Sequence, residues 1–309
     1  MSCLTDQFWS FFISGLSTGS IYALIALGYT LVYGVLQLIN FAHSEVFMLG
    51  AFGGLFTVRA FVPSGTPAGL TSTLLVLLGI IAGALAGGMT AFALERVAYR
   101  PLRRRRAPKL AFLISAIGAS LFLSYLAGKE FGRFRVPMPV LYTDGTVFHV
   151  FGARVRLTQL IIAVAGLIML ILLDRLVNAT KLGQGIRAVA QDADTAGLMG
   201  VNIDRVISQT FVIGGLLGGA AGFLFAVAFS AQFNMGFLPG VKAFAAAVLG
   251  GIGNVRGAVL GGLLLGVVEA LSTSCTGAQW QDVAAFVVLV LVLMFRPTGL
   301  LGERLGRSA

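Results

Sequence analysis

Side chains able to carry out chemistry are few in this sequence of 309 residues. Its two histidines, His43 and His149, are far apart and have no partner cysteines, so their spacing predicts no metal site. His149 lies in a polar stretch and His43 at the edge of an apolar segment, whereas a membrane hydrolase needs histidines deep in neighbouring spans. A P-loop is also missing, because Gly128-Lys129-Glu130 lacks the glycine spacing and the hydroxyl of that motif. We therefore expect no catalytic residue, no metal and no cofactor bound by this chain.

Ionisable side chains within the apolar segments are also scarce. Glu45 stands at the start of one apolar stretch and Glu269 near the end of another. Ion-coupled transporters carry such residues at membrane depth, so this scarcity argues against coupling to protons or sodium. Asn40 or Ser44 can cap a helix that holds Glu45 in its first turn. Alternatively, Asn40, His43 and Glu45 lie near a translocation path. Because exposing them to hydrocarbon would cost several kcal/mol, we predict that these three face the protein interior.

The composition indicates a membrane protein. Hydrophobic residues make up 57% of the sequence and charged residues 11%, and the mean hydropathy is +0.93. A soluble domain carries roughly 25% charged residues, and a globule in water cannot hide this much apolar surface. The net charge of +10 does not indicate nucleic acid, because many basic residues are concentrated in residues 96–109, beside an apolar segment. Cys3 and Cys275 do not form the spacing of a disulfide framework.

Long apolar segments predict an all-α polytopic membrane protein with about 8–9 transmembrane helices, since a span needs about 20 apolar residues. Helices are favoured because lipid offers the backbone no hydrogen-bond partners. A transmembrane barrel would show short strands of alternating polarity, which these continuous runs lack. The segments cover residues 11–34, 46–62, 70–94, 110–127, 158–177, 207–230, 241–271 and 283–295.

The basic loops predict the orientation of the spans. Residues 96–109 follow three segments and should be cytoplasmic, which puts the N-terminus outside. The polar stretch 178–205 comes two segments later and should also be inside. Residues 128–157 would then be external although they are also basic, which conflicts with the positive-inside rule. The tail, with Arg296, Arg304 and Arg307, should be cytoplasmic.

A cytoplasmic tail requires an even number of crossings after residue 205, but the sequence shows three apolar segments there. The longest of them, 241–271, contains the glycine-rich run 250–257. Glycine lowers the cost of non-helical backbone, and broken helices are tolerated where they line a cavity. We therefore predict a discontinuous element at residues 250–257. Further candidates for the translocation path are Gly250, Gly251, Gly253 and Asn254.

Glycines spaced four residues apart predict close packing between helices. Such a spacing places them on one helix stripe, where neighbouring backbones can approach. A role in sliding or gating surfaces is the alternative interpretation. The stripes are Gly15 and Gly19; Gly79, Gly83 and Gly87; Gly214, Gly218 and Gly222; and Gly262 and Gly266.

The most informative polar stretch covers residues 182–206, and within it 182–200 is predicted to form a cytoplasmic loop with a short amphipathic helix. Its apolar face holds Ile186 and Val189, and Arg187 points to the other face. One interpretation is an interfacial helix between two spans. The other is a coupling helix that docks into a groove of a cytoplasmic ATPase and buries Ile186 and Val189.

Several segments resemble the branched-chain amino acid permeases, the LivH-type subunits of bacterial ABC importers. In the loop, the matching residues are Gly185-Ile186-Arg187-Ala188, Asp192, Ala196, Gly200-Val201-Asn202 and Arg205-Val206. Elsewhere they include residues 19–24, 28–34, 40–45, 48–52, 248–258 and 296–300. Ser44 departs from the family, which commonly has glycine there. The resemblance extends in order over nearly the whole chain.

The resemblance implies a single transmembrane permease domain over residues 1–309 with the ABC importer permease fold. It further implies a bacterial inner-membrane subunit without ATPase motifs, for import of branched-chain amino acids or related solutes such as urea, short amides or aromatic acids. Its expected partners are a second related permease, two cytoplasmic ATPases and an external solute-binding protein. A self-contained secondary transporter or channel remains the alternative. The loop residues expected to couple to the ATPase are Gly185, Ile186, Arg187, Val189, Asp192, Gly200, Asn202 and Arg205.

Overall fold

The computed structural model describes residues 7–62, 67, 69–142 and 145–302, apart from the side chains at 275 and 276. Cys3, Arg304, Arg307 and the side chain of Cys275, which entered the predictions above, lie outside the described residues. The chain divides into two compact units. The first unit holds residues 1–30, 145–170 and 242–309, and the second holds residues 31–144 and 171–241. The single permease domain over 1–309 stays a prediction.

Helices account for most of the described chain. They are α1 (Phe8–Leu36), α2 (His43–Phe61), α3 (Leu70–Leu94), α4 (Arg100–Arg104), α5 (Lys109–Glu130), α6 (Leu157–Ala179), α7 (Lys181–Gln191), α8 (Ala193–Leu198), α9 (Ile203–Phe229), α10 (Phe237–Gly250), α11 (Val255–Thr276) and α12 (Gln281–Phe295), with a π-helical turn at Glu95–Tyr99 and a 3₁₀ turn at Ala278–Trp280. Among the described residues, 8 helical stretches are long and apolar enough to cross a membrane, and α10 is a shorter apolar helix. The predicted all-α polytopic membrane protein is confirmed.

Two local predictions need correction. The basic residues at 96–104, expected in a loop, are helical, because α3 continues through the π-helical turn into α4. The polar stretch 128–157, expected only as a loop, contains a hairpin in which β1 (Thr146–Val150) pairs with β2 (Ala153–Arg156) in antiparallel fashion. Phe151 and Gly152 at its turn both have positive φ, which a two-residue hairpin turn favours.

The second unit is built on close packing of α2, α3 and α9 through glycines. Gly50 and Gly219 approach so closely that no Cβ could fit between α2 and α9. On α3, Gly87 is equally close to Gly215. Side chains larger than hydrogen would separate these helices, and lipid supplies no hydrophobic force to press them together. The predicted α3 stripe therefore serves helix packing. On α9, Gly222 of the predicted stripe packs against the backbone of Phe47 in α2, but the contacts with α3 are made by Gly215 and Gly219, which lie outside that stripe.

In the first unit, glycines likewise allow close packing between α1 and α11. A Cβ on Gly15 would lie 2.7 Å from the Val267 Cα, and one on Gly19 would lie 2.9 Å from the Leu263 Cα. A Cβ on Gly262 would lie 2.5 Å from the Ala23 Cα. The predicted role of these two stripes in packing is confirmed.

The predicted discontinuity is also present. Helix α10 ends at Gly250 and α11 begins at Val255, so the apolar segment 241–271 is not one helix. Gly251 and Gly253 in the connection have φ angles of +107° and +95°, which side chains other than glycine rarely adopt. The predicted apolar segment began at residue 241, but α10 begins earlier, at Phe237.

Candidate functional site

The polar segment before α2 lies in the interior of the second unit. Asn40, His43 and Glu45 are only 3%, 1% and 3% exposed, so the prediction that they face the protein interior is confirmed. Asn40 Oδ1 accepts a hydrogen bond from the Tyr99 hydroxyl at 2.8 Å and another from the Ala42 backbone N–H at 3.1 Å. These bonds satisfy a side chain that would otherwise be costly to bury.

The predicted capping of α2 is wrong in its details. Ala42 is the N-cap and makes no side-chain capping bond. The Ser44 hydroxyl, a predicted cap, donates instead to the Phe41 carbonyl at 2.8 Å. Glu45 does lie in the first turn, where a carboxylate suits the positive end of the helix dipole.

Serine hydroxyls surround the buried Glu45 carboxylate. Ser120 of α5 donates to Oε1 at 3.1 Å and Ser44 donates to the same oxygen at 3.3 Å. The other oxygen, Oε2, has no hydrogen-bond partner among the described residues and lies 3.4 Å from where a Cβ on Gly236 would stand. A Cβ on Gly236 would collide with the Ser44 carbonyl, so the segment preceding α10 packs this closely on the start of α2 only because residue 236 has no side chain.

A network of ion pairs, which the sequence did not reveal, joins the π-helical turn to α4 and α9. The carboxylate of Glu95 is fully buried, pairs with Arg103 at 3.1 Å and accepts from the Ser208 hydroxyl at 2.7 Å. Arg103 also pairs with Asp204 at 2.6 Å, and Arg100 pairs with Asp204 at 3.2 Å. Arg100 and Arg103, two of the basic residues at 96–109, thus hold the start of α9.

The first unit contains a buried ion pair that contradicts the predicted scarcity of ionisable groups. Lys242 of α10 pairs with Glu269 of α11, and both are buried. The Lys242 ammonium also lies 2.6 Å from the Asp282 carboxylate and 5.9 Å from the centre of the Tyr22 ring. Gln281 donates to Glu269 Oε1 at 2.5 Å. The sequence feature that could have indicated this ion pair was Lys242, a single charge within an apolar segment.

Residues 182–200 form two helices rather than one. Asp192 ends α7 and caps α8 by accepting from the backbone N–H groups of Asp194 at 3.0 Å and Thr195 at 3.2 Å. The Thr195 hydroxyl also donates to this carboxylate and lowers the pKa of Asp192 below its usual value. Gly200, with a φ of +87°, ends α8. Asn202 then caps α9 by accepting from the Arg205 N–H at 3.0 Å.

The apolar face of α7 is covered by the chain itself. Ile186 and Val189 are buried in a cluster that includes Phe211 of α9 and Tyr99, so the expectation that a partner buries them is wrong. Amphipathicity shows that one face needs cover but does not identify what covers it. Gly185 belongs to this contact, since a Cβ there would lie 3.2 Å from a Val206 methyl.

Arg187 also has a partner within the chain. Its guanidinium donates to the Val177 carbonyl in the last turn of α6. A cation there satisfies a carbonyl left open by the helix end and complements the helix dipole. Gly183 lies against the same turn, where a side chain would collide with the Val177 carbonyl. Helix α7 is thereby fixed to α6.

The outer surface of the loop is exposed and partly apolar. Leu198 and Met199, at the end of α8, are 89% and 81% exposed. Asp192, Asp194 and Thr195 near them are also exposed. Two large apolar side chains protruding from a polar, firmly anchored loop form a surface suited to a protein partner.

The glycine-rich break is held by capping bonds and by the chain that follows α12. Asn254 Oδ1 accepts from the N–H groups of Arg256 at 3.0 Å and Gly257 at 3.1 Å, which caps α11. Its side-chain amide donates to the Leu301 carbonyl at 2.9 Å. Residues 250–254 belong to the first unit and residues 40–45 to the second, so the two groups of path candidates lie in different units.

Together, these features define, for the described residues, a polytopic membrane protein with buried polar groups inside each of its two units. Within those residues, no group of three or more His, Cys, Asp or Glu side chains could hold a metal ion. The sequence profile described as branched-chain amino acid transport system / permease component matches residues 11–293. The chain belongs to this family and is a permease component, not an enzyme.

Relatives support the same assignment over almost the full length. The chain is 40% identical over 308 residues to the high-affinity branched-chain amino acid transport system permease protein LivH of Salmonella typhimurium, covering 97% of this chain and 98% of the relative. It is 39% identical to LivH of Escherichia coli over the same shares. It is 40% identical to BraD of Pseudomonas aeruginosa over 94% of each chain. No solved structure gives a significant match.

Proposed function

We propose that this chain forms half of the pore of an ATP-driven importer of branched-chain amino acids in a bacterial inner membrane. Its relatives LivH and BraD, which are permeases for branched-chain amino acids, support this substrate class. The proposed complex adds a second related permease, two cytoplasmic ATPases and an external solute-binding protein. The proposed orientation follows the basic loops: the N-terminus is outside, the C-terminus is cytoplasmic, and residues 182–200 face the ATPases.

The observation that carries the proposal is the exposed end of α8. Leu198 and Met199 project from the loop, while the inner face of α7 packs on its own chain. A hydrophobic side chain that stays exposed on an anchored helix is a good candidate for the centre of a docking contact. We propose that these two side chains enter the ATPase groove, in place of Ile186 and Val189.

The anchoring of the loop explains how docking would act on the spans. Arg187 connects α7 to the end of α6, and Ile186 connects it to α9 through Phe211. Movement of the ATPases would therefore be passed to two spans instead of being absorbed by a flexible connector. Such a rigid connection suits a transporter that alternates between outward and inward access.

The translocation path is proposed to use the interior polar groups. In the second unit, Asn40, His43 and Glu45 are polar side chains inside an otherwise apolar core. In the first unit, the break at 251–254 leaves the start of α11 as a half-helix end, a feature that binds solute carboxylates in other transporters. Gly250, Gly251, Gly253 and Asn254 remain proposed path residues on this basis.

The docking proposal is tested by replacing Leu198 and Met199 with Asp in the complete transporter. Carboxylates in a desolvated apolar groove would be costly, so we expect ATP-driven uptake to fall at least about tenfold and the ATPases to be lost on co-purification. The matched control is Phe134→Asp, an equally exposed aromatic outside the loop. Normal uptake by the Leu198 and Met199 variant, present at normal amounts in the membrane, would refute docking at α8.

One observation favours the alternative of a self-contained secondary transporter. The Lys242–Glu269 pair provides buried ionisable groups of the kind that ion coupling uses. The discriminating measurement is uptake in liposomes that contain the chain without ATPases. Uptake driven by a proton or sodium gradient there would support the alternative. Competition by urea, short amides or aromatic acids in the complete system would identify a different substrate class.

A further inference from the structure

A cavity of about 320 Å³ at the end of the third candidate span is lined almost entirely by arginines. Its lining consists of Arg96, Arg100, Pro101, Arg104 and Arg105, and we call it the arginine pocket. Arg96 lies on the π-helical turn, and the other four residues lie on α4 or, in the case of Arg105, directly after it. Because these five residues line one cavity, their side chains share one side of the chain.

The charge of the arginine pocket is only partly neutralised. Asp204 contacts Arg100 and Arg104, and at 3.7 Å its contact with Arg104 is long. Among the described residues, neither Arg96 nor Arg105 makes a salt bridge, and the buried Nε of Arg100 has no hydrogen-bond partner. The pocket therefore combines a surplus of positive charge with an unused buried donor, which together favour an anion with several acceptor oxygens.

The same helix face continues into an exposed apolar stripe. Leu85, Met89 and Phe92 precede Arg96 at spacings of four, three and four residues and are 54%, 66% and 45% exposed. Residues at these spacings lie above one another on a helix. Because they belong to the candidate span Leu70–Arg104, their exposed faces suit lipid acyl chains. One continuous stripe thus changes from apolar within the span to basic at its end.

We propose that the arginine pocket and this stripe bind an anionic phospholipid. The phosphate lies between Arg96 and Arg105, with Arg100 and Arg104 lining the remaining sides. An acyl chain follows Phe92, Met89 and Leu85. Basic pockets at the ends of spans recognise such headgroups by this combination of charge and apolar surface. A soluble phosphate would use the charge but not the stripe, so the lipid explains both observations.

The test measures lipid binding by the full chain purified in detergent within its transporter complex. Phosphatidylglycerol and phosphatidylcholine with the same acyl chains are added in parallel, and retained lipid is measured by native mass spectrometry. We expect a preference for phosphatidylglycerol that falls at least about tenfold in Arg96→Gln/Arg105→Gln, because each arginine near a headgroup contributes roughly fivefold. Inorganic phosphate and glycerol 3-phosphate at millimolar concentration should not displace the lipid.

Two further variants serve as controls for folding and for the location of the binding site. Arg96→Lys/Arg105→Lys retains the charge and should keep most of the preference, which separates loss of charge from loss of folding. Arg175→Gln removes an exposed arginine near the end of α6, outside the pocket, and should bind like the unmodified protein. Equal binding of both lipids, an unchanged preference in Arg96→Gln/Arg105→Gln, or full displacement by the soluble phosphates would overturn the proposal.

Discussion

The Tyr99 hydroxyl lies 2.8 Å from Asn40 Oδ1, which bonds the π-helical turn after α3 to the segment that begins α2. Both residues are buried, and the Tyr99 ring packs against Phe211 of α9 with the ring centres 5.1 Å apart. One side chain thus joins the interior polar segment to the helix that follows the loop at residues 182–200. This is a physical connection between the proposed path and the proposed ATPase contact.

The Tyr99–Asn40 bond predicts a modest loss of stability in Tyr99→Phe. The ring contacts remain and Asn40 Oδ1 keeps its bond from the Ala42 N–H, while the bond from the Tyr99 hydroxyl is lost. We expect a decrease of about 1 kcal/mol in the free energy of unfolding, measured by thermal unfolding in detergent. Tyr125→Phe, at an exposed position, should have almost no effect. Equal stability of both variants would contradict the inferred bond.

The Lys242–Glu269 pair predicts a much larger effect. Lys242→Met leaves the buried Glu269 carboxylate without the cation that pairs with it, and breaking such a pair costs about 3–5 kcal/mol. The measurement is denaturant unfolding in detergent. The double variant Lys242→Met/Glu269→Met should recover most of the loss, because two apolar side chains can replace a buried ion pair.

Asp282 provides the control for this ion pair. Its side chain is 49% exposed, so Asp282→Asn removes an attraction that solvent already screens. We expect a loss of at most about 1 kcal/mol. If Asp282→Asn destabilised the protein as much as Lys242→Met, the inference that burial makes the Lys242–Glu269 pair the stronger interaction would be wrong.

The close contact between α3 and α9 predicts opposite effects for two glycine-to-alanine substitutions. In Gly219→Ala the new methyl would collide with the backbone at Gly83 and Gly87, at a cost of about 1–3 kcal/mol. Gly118 of α5 has no atom within 4 Å of its Cβ position, so Gly118→Ala should stabilise α5 by about 0.5–1 kcal/mol. Thermal unfolding distinguishes them. A neutral Gly219→Ala would show that these helices can separate freely.

The features predicted correctly from the sequence are those that depend on one local property. Apolar length identifies the spans, because lipid leaves the backbone few alternatives to a helix. The glycines at 250–257 marked the break for a similar reason, since they permit positive φ. Neither inference requires knowledge of which helices are neighbours.

Features that depend on distant partners could not be predicted. Glu269 was visible near the end of an apolar stretch, but the sequence does not show that it pairs with Lys242, which is 27 residues away in the chain. The helical pattern of Ile186 and Val189 was correct, but the pattern does not distinguish cover by Phe211 from cover by another protein. The same limit applies to Arg187, whose partner proved to be the Val177 carbonyl.

The break between α10 and α11 predicts that Gly251 and Gly253 differ in sensitivity. Gly253 has a φ of +95° and no atom within 4 Å of its Cβ position, so Gly253→Ala adds only backbone strain, about 1–2 kcal/mol. Gly251 has a similar φ, but a Cβ there would also lie 2.6 Å from the Gly302 Cα. Gly251→Ala should therefore cost more and should displace the segment that follows α12.

Thermal unfolding gives the cost of each substitution, and limited proteolysis after α12 reports displacement of that segment. Gly132→Ala is the matched control for strain alone, because Gly132 has a φ of +87° and an open Cβ position outside the break. We expect Gly253→Ala to resemble this control in both measurements. Gly251→Ala should be less stable than either and more readily cleaved, because Leu300 and Leu301 bond to the Leu249 and Gly250 carbonyls at 2.8 and 2.9 Å. Equal values for Gly251→Ala and Gly253→Ala would show that the segment after α12 does not pack against the break.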